Sequence, residues 1–329
     1  MERSPSLLCV GLACVDIVNT VAACPAEDTC CRTLSQRVAR GENASTSAVV
    51  AAQCGIRTTW LGTLPSAGSA DSALILGDLA AHGVGAAAAH RGAVARAPTS
   101  YVTLSASTGT RTIAHHRGDL DELGLGDLPD WGGAAYDWVH LEGRAGARGA
   151  IEAAARALRP SATVASLELE KVDAGLDDVA PLVDVVFYSR EVAEHAGFDD
   201  PVAFLKDRAA ALGDGPRVLT CAWGAAGAAA AEITSDGAVV LSRCAAVRVG
   251  AVVDSVGAGD TFNGAFVAAR LRNATVGDAL RVACVVAGAK VGRVGFSGLA
   301  YPDASALRAV LPPLPRPTPS GFSGWKLQG

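Results

Sequence analysis

The strongest constraint on how this chain can fold is a set of short, almost uninterrupted apolar runs: Leu7 to Gly11, Trp138 to Glu142, Ala162 to Leu169, Val183 to Tyr188 and Arg217 to Ala222. A strand that reads apolar on both faces must be covered on both, which is the habit of parallel sheets rather than of sheets with one solvated side. The intervening segments, such as Ala150 to Leu158, Val192 to Gly197 and Pro201 to Leu212, read as helices. Strand and helix in alternation predict a doubly wound α/β fold. Two stretches break the rhythm. Cys14 to Arg40 and Thr99 to Arg117 carry Val, Thr, Tyr and Ile in strand-like runs, with Gly109 at a turn between Thr103-Leu104 and Thr112-Ile113. They predict a small antiparallel sheet projecting from the core.

The length of 329 residues and an apolar fraction of 50% are ample for one large core with such an appendage. A net charge of -5 supplies no basic patch, so a nucleic-acid partner is excluded. No run approaches the about 18 apolar residues of a membrane span. The polar start, Met1 to Ser6, leads into a short apolar run that soon meets Asp16, which does not make a signal segment. Nine cysteines at irregular spacing, with Cys30 and Cys31 adjacent, then read as free thiols in a reducing cytoplasm. His115 and His116 have no companion cluster at metal-ligand spacing and read as strand residues; no protein metal site is expected.

The segment Asp254-Ser255-Val256-Gly257-Ala258-Gly259-Asp260-Thr261-Phe262-Asn263-Gly264 makes a glycine-rich turn running into a helix, with Phe262, Phe266 and Ala269 on one buried face. Gly257 and Gly259 allow consecutive N–H groups to converge on an anion in front of the positive end of the helix dipole. Asp260 then faces the same spot as a base, which is what phosphoryl transfer asks for. Read alone, the same residues also fit a plain strand-to-helix turn with Asp260 as an N-terminal cap. A dinucleotide site is ruled out, because Gly11-Leu12-Ala13-Cys14 does not supply G-x-G-x-x-G after the first strand.

The string D-S-x-G-A-G-D-T-F resembles the C-terminal signature of the PfkB (ribokinase-like) carbohydrate kinases, and Leu34-Ser35-Gln36-Arg37-Val38-Ala39-Arg40-Gly41-Glu42-Asn43-Ala44-Ser45 resembles their N-terminal one. Leu8-Cys9-Val10-Gly11 leading to Asp16, Gly109 to Ile113, Val139 to Arg144, Glu168 to Lys171 and Cys221-Ala222-Trp223 are similar to the ketohexokinase branch of that family. The resemblance runs from about residue 7 to about residue 298. It implies a ribokinase-like core from residues 1–13, 41–98 and 118–301, and a discontinuous β lid from 14–40 and 99–117. The proline-rich tail, 302–329, lies outside it and reads as an extended, disordered segment or a proline-rich ligand.

The resemblance further implies ATP-dependent phosphorylation of a ketose, D-fructose to fructose 1-phosphate, with Mg2+ required and K+ left open, and a homodimer clasped through the lid. Asp260 and the N–H groups from Gly257 through Ala258 and Gly259 would be catalytic. Asp16, Asp28, Gly41, Glu42, Asn43 and Thr46 would line the sugar site, whose hydroxyls suit carboxylates and amides. Arg111 would clamp the nucleotide phosphates, with Gly224, Ala225, Ala226 and Gly227 as a second nucleotide segment. Small side chains through Ala283 to Ala289 leave room for adenine, although core packing explains them equally well. Where many relatives have N-x-x-E for magnesium, this chain reads Ser189-Arg190-Glu191-Val192.

Two departures stand out. The family has two consecutive glycines where this chain has Gly41-Glu42, and an asparagine where it has Thr46. If that backbone needs positive φ, Glu42 adds strain of about 1 kcal/mol or more. Its carboxylate either binds a hydroxyl or repels phosphate from the sugar's place. A non-catalytic relative that binds sugar or nucleotide, and a kinase for another sugar or nucleoside, therefore stay open beside the ketose kinase.

Overall fold

The computed structural model describes residues 4–131, 136–213, 215–247, 249–303 and 307. In chain order the strands are β1 Ser6–Val10, β2 Cys14–Val21, β3 Ser35–Gly41, β4 Arg57–Leu64, β5 Gly85–His90, β6 Thr99–Ser105, β7 Arg111–His116, β8 Trp138–Glu142, β9 Val164–Leu169, β10 Val185–Tyr188, β11 Val218–Ala222, β12 Ala228–Ile233 and β13 Val239–Cys244. The helices are α1 Asn43–Gln53, α2 Ala70–Ala81, α3 Arg148–Leu158, α4 Arg190–His195, α5 Pro201–Leu212, α6 Ala258–Leu271 and α7 Val276–Val291.

The large sheet has the order β13-β12-β11-β10-β9-β8-β1-β4-β5, parallel from β11 to β5. Alternation along β1 explains why it is covered twice. Leu7 and Cys9 point into the core formed with α1, α6 and α7, while Leu8 and Val10 point into the core formed with α3 and α5. The apolar runs of the sequence are the central strands of this sheet. The antiparallel hairpin β12–β13 at one edge follows no such run, because Ala228-Ala229-Ala230-Ala231 carries no strand signal.

The small sheet has the order β3-β2-β6-β7 and is built from the two stretches that broke the rhythm. Its outer pairs are antiparallel as expected, but the central pair, β2 with β6, is parallel. The two strands enter the sheet from separate crossings of the core, so no hairpin dictates their sense. The proline-rich run at 312–319 lies outside the described residues. No helix among the described residues is long and apolar enough to cross a membrane.

Candidate active site

The carboxyl ends of β8, β9, β10 and β11 open onto one cavity of about 1040 Å³, roofed by the small sheet and floored by α6 and α7. Doubly wound sheets place ligands at these strand ends, where loops are free to diverge. Strand order turns at β1, between β8 and β4.

Gly257 is the N-cap of α6 at φ 72° and ψ 17°, and a Cβ there would lie 2.5 Å from the Phe296 ring. Glycine is required on both counts. Gly259 differs from the expectation: it sits within α6 and has no positive φ, and a Cβ on it would meet open space. Its lack of a side chain leaves the helix mouth open to the cavity. Helical bonding starts with Thr261 N–H donating to the Gly257 carbonyl at 2.9 Å, so the N–H groups ahead of it lack helical acceptors. Asp260 lines the cavity beside them. Desolvation, then the carboxylates of Glu170, Glu142 and Glu42, push its pKa well up, and Arg111 pulls it back.

At the other end of the cavity, Asp16 stands within β2, beyond the exit of β1, and its carboxylate packs where a Cβ of Gly41 would be. Its Oδ1 accepts the Cys14 thiol at 3.2 Å, and burial raises its pKa. Asn43 opens α1 and donates from Nδ2 to Glu170 Oε2 at 2.9 Å. Thr46 Oγ1 is held by Arg40 Nη1 at 3.1 Å, so its hydroxyl already has a partner. Glu42 has φ 85° and ψ 156°, the conformation a glycine would take. As N-cap of α1 it makes no side-chain cap bond; its Oε1 instead pairs with Arg144 Nη1 at 2.8 Å. The N–H of Ala44 is satisfied by Glu142 Oε2 at 3.1 Å, which also accepts from Leu12 N–H at 3.0 Å.

Arg111 reaches the anion turn, donating from Nη1 to Ser255 Oγ at 3.3 Å. Gly224, Ala225 and Gly227 line the cavity beyond β11, where a Cβ on Gly227 would collide with the Cys244 carbonyl oxygen. Ala226 is exposed and is not among the lining residues. Asp28 is likewise outside the cavity, exposed on the β2–β3 loop at φ 57°. The cavity is also walled by Cys284, Ala287 and Gly288 of α7, and Gly288 is demanded by Val247, whose Cβ would be 2.8 Å from an added one.

The cavity-lining Glu168, Glu170, Arg144 and Lys171, and the buried Glu142 bonded to Arg144, had no assigned role in the sequence reading, although their motifs were recognised. The usable signal was a charge at the carboxyl end of an apolar strand, in Leu141-Glu142-Gly143-Arg144 and Glu168-Leu169-Glu170-Lys171. Glu168 is buried, receives Asn263 Nδ2 at 2.8 Å, and is held well above the usual carboxylate range by burial and then by Asp260. Among the described residues no group of His, Cys, Asp and Glu is close enough to hold a metal by itself.

One cavity is thus lined both by the glycine-rich turn with Asp260 and by Asp16, Gly41 and Asn43. Residues 4–303 match the pfkB family carbohydrate kinase model. The chain belongs to that family. As a PfkB kinase it is 34% identical to mouse (Mus musculus) ketohexokinase over 299 residues, which covers 89% of this chain and 98% of the mouse protein. Ribokinase from Giardia lamblia superposes with a TM-score of 0.77 at 16% identity, covering 93% of this chain and 99% of its own. A probable sugar kinase from Rhizobium etli CFN 42 gives 0.74 at 24%, covering 94% and 98%. These two likenesses bear on the PfkB fold alone. This PfkB kinase is thus a carbohydrate kinase with a ribokinase-like fold.

Proposed function

We propose that this PfkB kinase transfers the γ-phosphate of ATP to the primary C1 hydroxyl of a ketose, D-fructose first among them, giving fructose 1-phosphate and ADP. The observation that carries the reading is the shared cavity: the anion turn with Asp260 opens onto the same space as Asp16, Gly41 and Asn43. Asp260 takes the hydroxyl proton as the sugar oxygen bonds to phosphorus and ADP departs. The N–H groups from Gly257 to Asp260 hold the transferring oxygens, and Arg111 clamps the phosphates as a planar fork suited to them. Asp16 and Asn43 orient the sugar.

Mg2+ bound with the nucleotide would supply positive charge to the phosphate oxygens. Glu168 and Glu170 at the end of β9 supply the hard oxygen donors that suit it, through water. K+ as an additional cofactor belongs to the same reading. The small sheet acts as the lid, and the exposed apolar residues Leu34, Val38 and Tyr101 on its outer side form a dimer surface. Dimerisation there also gives the exposed Asp28 a partner site to reach. Nine unpaired cysteines agree with a cytoplasmic location.

Glu42 favours a second reading, a relative that binds sugar or nucleotide without turnover, because its carboxylate adds negative charge where phosphate must arrive. The test is ADP release by the purified protein with MgATP and K+, across ketoses, other sugars and nucleosides, beside Asp260→Ala. Fructose-dependent release lost in the variant supports the ketose kinase. Release with another acceptor alone moves the substrate. No release from folded protein that binds MgATP supports the second reading.

A further inference from the structure

The residues just ahead of the anion turn are gripped by the small sheet at successive positions. Arg37 of β3 donates from Nη2 to Asp254 Oδ2 at 2.8 Å. Arg111 of β7 donates to Ser255 Oγ at 3.3 Å, and that hydroxyl bonds the Gly109 carbonyl at 3.4 Å. Val256 packs on Val18, Val102 and Leu104, the inner apolar face of the small sheet. A Cβ on Gly109 would stand 2.9 Å from Val252 Cγ1, so the β6–β7 turn presses directly on this segment.

Asp254 is the hub of these contacts. It is 1% exposed, and its carboxylate also faces Lys290 Nζ at 3.2 Å and the N–H groups of Gly295 at 3.2 Å and Val256 at 3.0 Å. Lys290 also donates to the Asp254 carbonyl at 2.8 Å. A buried carboxylate pinned by two cations and two N–H groups is a rigid anchor. Lys290 and both N–H groups belong to the core, whereas Arg37 belongs to the small sheet. Arg37 lies on the strand that ends at Gly41, against the Asp16 carboxylate. Movement of β3 at the sugar end therefore changes the Arg37–Asp254 contact at the other.

We propose that Arg37 and Asp254 are positioning residues that couple closure of the small sheet over the sugar to the shape of the anion turn, so that sugar binding tightens phosphate binding. The proposal rests on the kinase reading and adds the path by which its two ligands communicate. By linkage, the nucleotide must tighten the sugar by the same factor.

The test uses the intact protein and the variants Arg37→Gln and Arg37→Lys. A non-hydrolysable MgATP analogue is titrated with and without D-fructose, and amide hydrogen exchange is followed over residues 252–260 without ligands. Arg37 is partly exposed and Asp254 keeps Lys290 in its absence, so both variants are expected to fold. Fructose should tighten the analogue by about fivefold or more in the parent. In Arg37→Gln that factor should fall to about one and the turn amides should exchange about fivefold faster; Arg37→Lys should restore most of both. A merely structural Arg37 would weaken the analogue equally with and without fructose. An unchanged factor, or unchanged exchange in Arg37→Gln, overturns the coupling. If fructose has no effect on the parent, the ketose reading fails separately, and the exchange result alone upholds or overturns the anchor.

Discussion

Glu42 Oε1 lies 2.8 Å from Arg144 Nη1 while the Glu42 backbone holds φ 85° and ψ 156°. Residues other than glycine rarely hold that conformation, at a cost on the order of 1–3 kcal/mol. The ion pair offsets part of the cost, and Arg144 keeps Glu142 and Glu122 without it. Glu42→Gly should therefore raise the Tm by about 2 °C or more, whereas Glu42→Ala, which loses the pair and keeps the φ, should lower it. Thermal scans of the two variants separate strain from charge. On the ketose reading, Glu42→Gly should also raise kcat/KM for fructose, and a fall would make the carboxylate a substrate contact.

Asp260→Asn should lower kcat by about 100-fold or more, as expected for loss of a general base. It should also stabilise the protein at neutral pH. The sign follows from the raised pKa: a folded value above the unfolded one means that folding loses stability as pH rises from the unfolded value through the folded one. Removing the charge removes that penalty. Tm at pH 7.5, measured beside ADP release, checks both, and a lower Tm with unchanged turnover contradicts the assignment.

His140 is buried, bonds Ser166 Oγ through Nδ1 at 2.9 Å, and has its pKa lowered by burial to about 4. Its contribution is complete above the unfolded value and is lost as pH falls toward the folded one. Between pH 7.5 and 4.5 the stability of the parent relative to His140→Gln should shrink by about 2 to 3 kcal/mol. Urea unfolding at both pH values measures the difference. A constant difference would mean that the imidazole takes up its proton in the fold as readily as in the unfolded chain.

Val38→Asp with Tyr101→Asp places charges on the outer face of the small sheet, where the two side chains are 52% and 49% exposed. Light scattering should give twice the chain mass for the parent and the single mass for the variant. The variant should lose turnover as well if Asp28 completes the partner's site. A parent that is monomeric at micromolar concentration ends the dimer proposal.

Much of this molecule was legible in its sequence where the signal is local. The runs that became β1, β8, β9, β10 and β11 carry their own evidence of double coverage, since every second residue faces one core and the rest face the other. Gly257 announces its turn because only glycine fits its φ and the contact with Phe296. Strand β12 was not legible, because polyalanine has no β preference and is extended only through packing against its neighbours. Gly259 was given a backbone reason, yet its role is the open helix mouth.

By itself the sequence determined the layered α/β core, the excursion of two stretches into a second sheet, and the presence of a glycine-rich turn with a carboxylate at the mouth of a helix. Each follows from periodicity or from the conformational limits of residues close in the chain. Only the tertiary structure decided that β2 and β6 pair in parallel, and that Arg144 gathers Glu42, Glu122 and Glu142. It also decided that Arg37 reaches Asp254 across 217 positions of chain. Such contacts join residues with no local relationship, so they exist only once the core has brought the strand ends together.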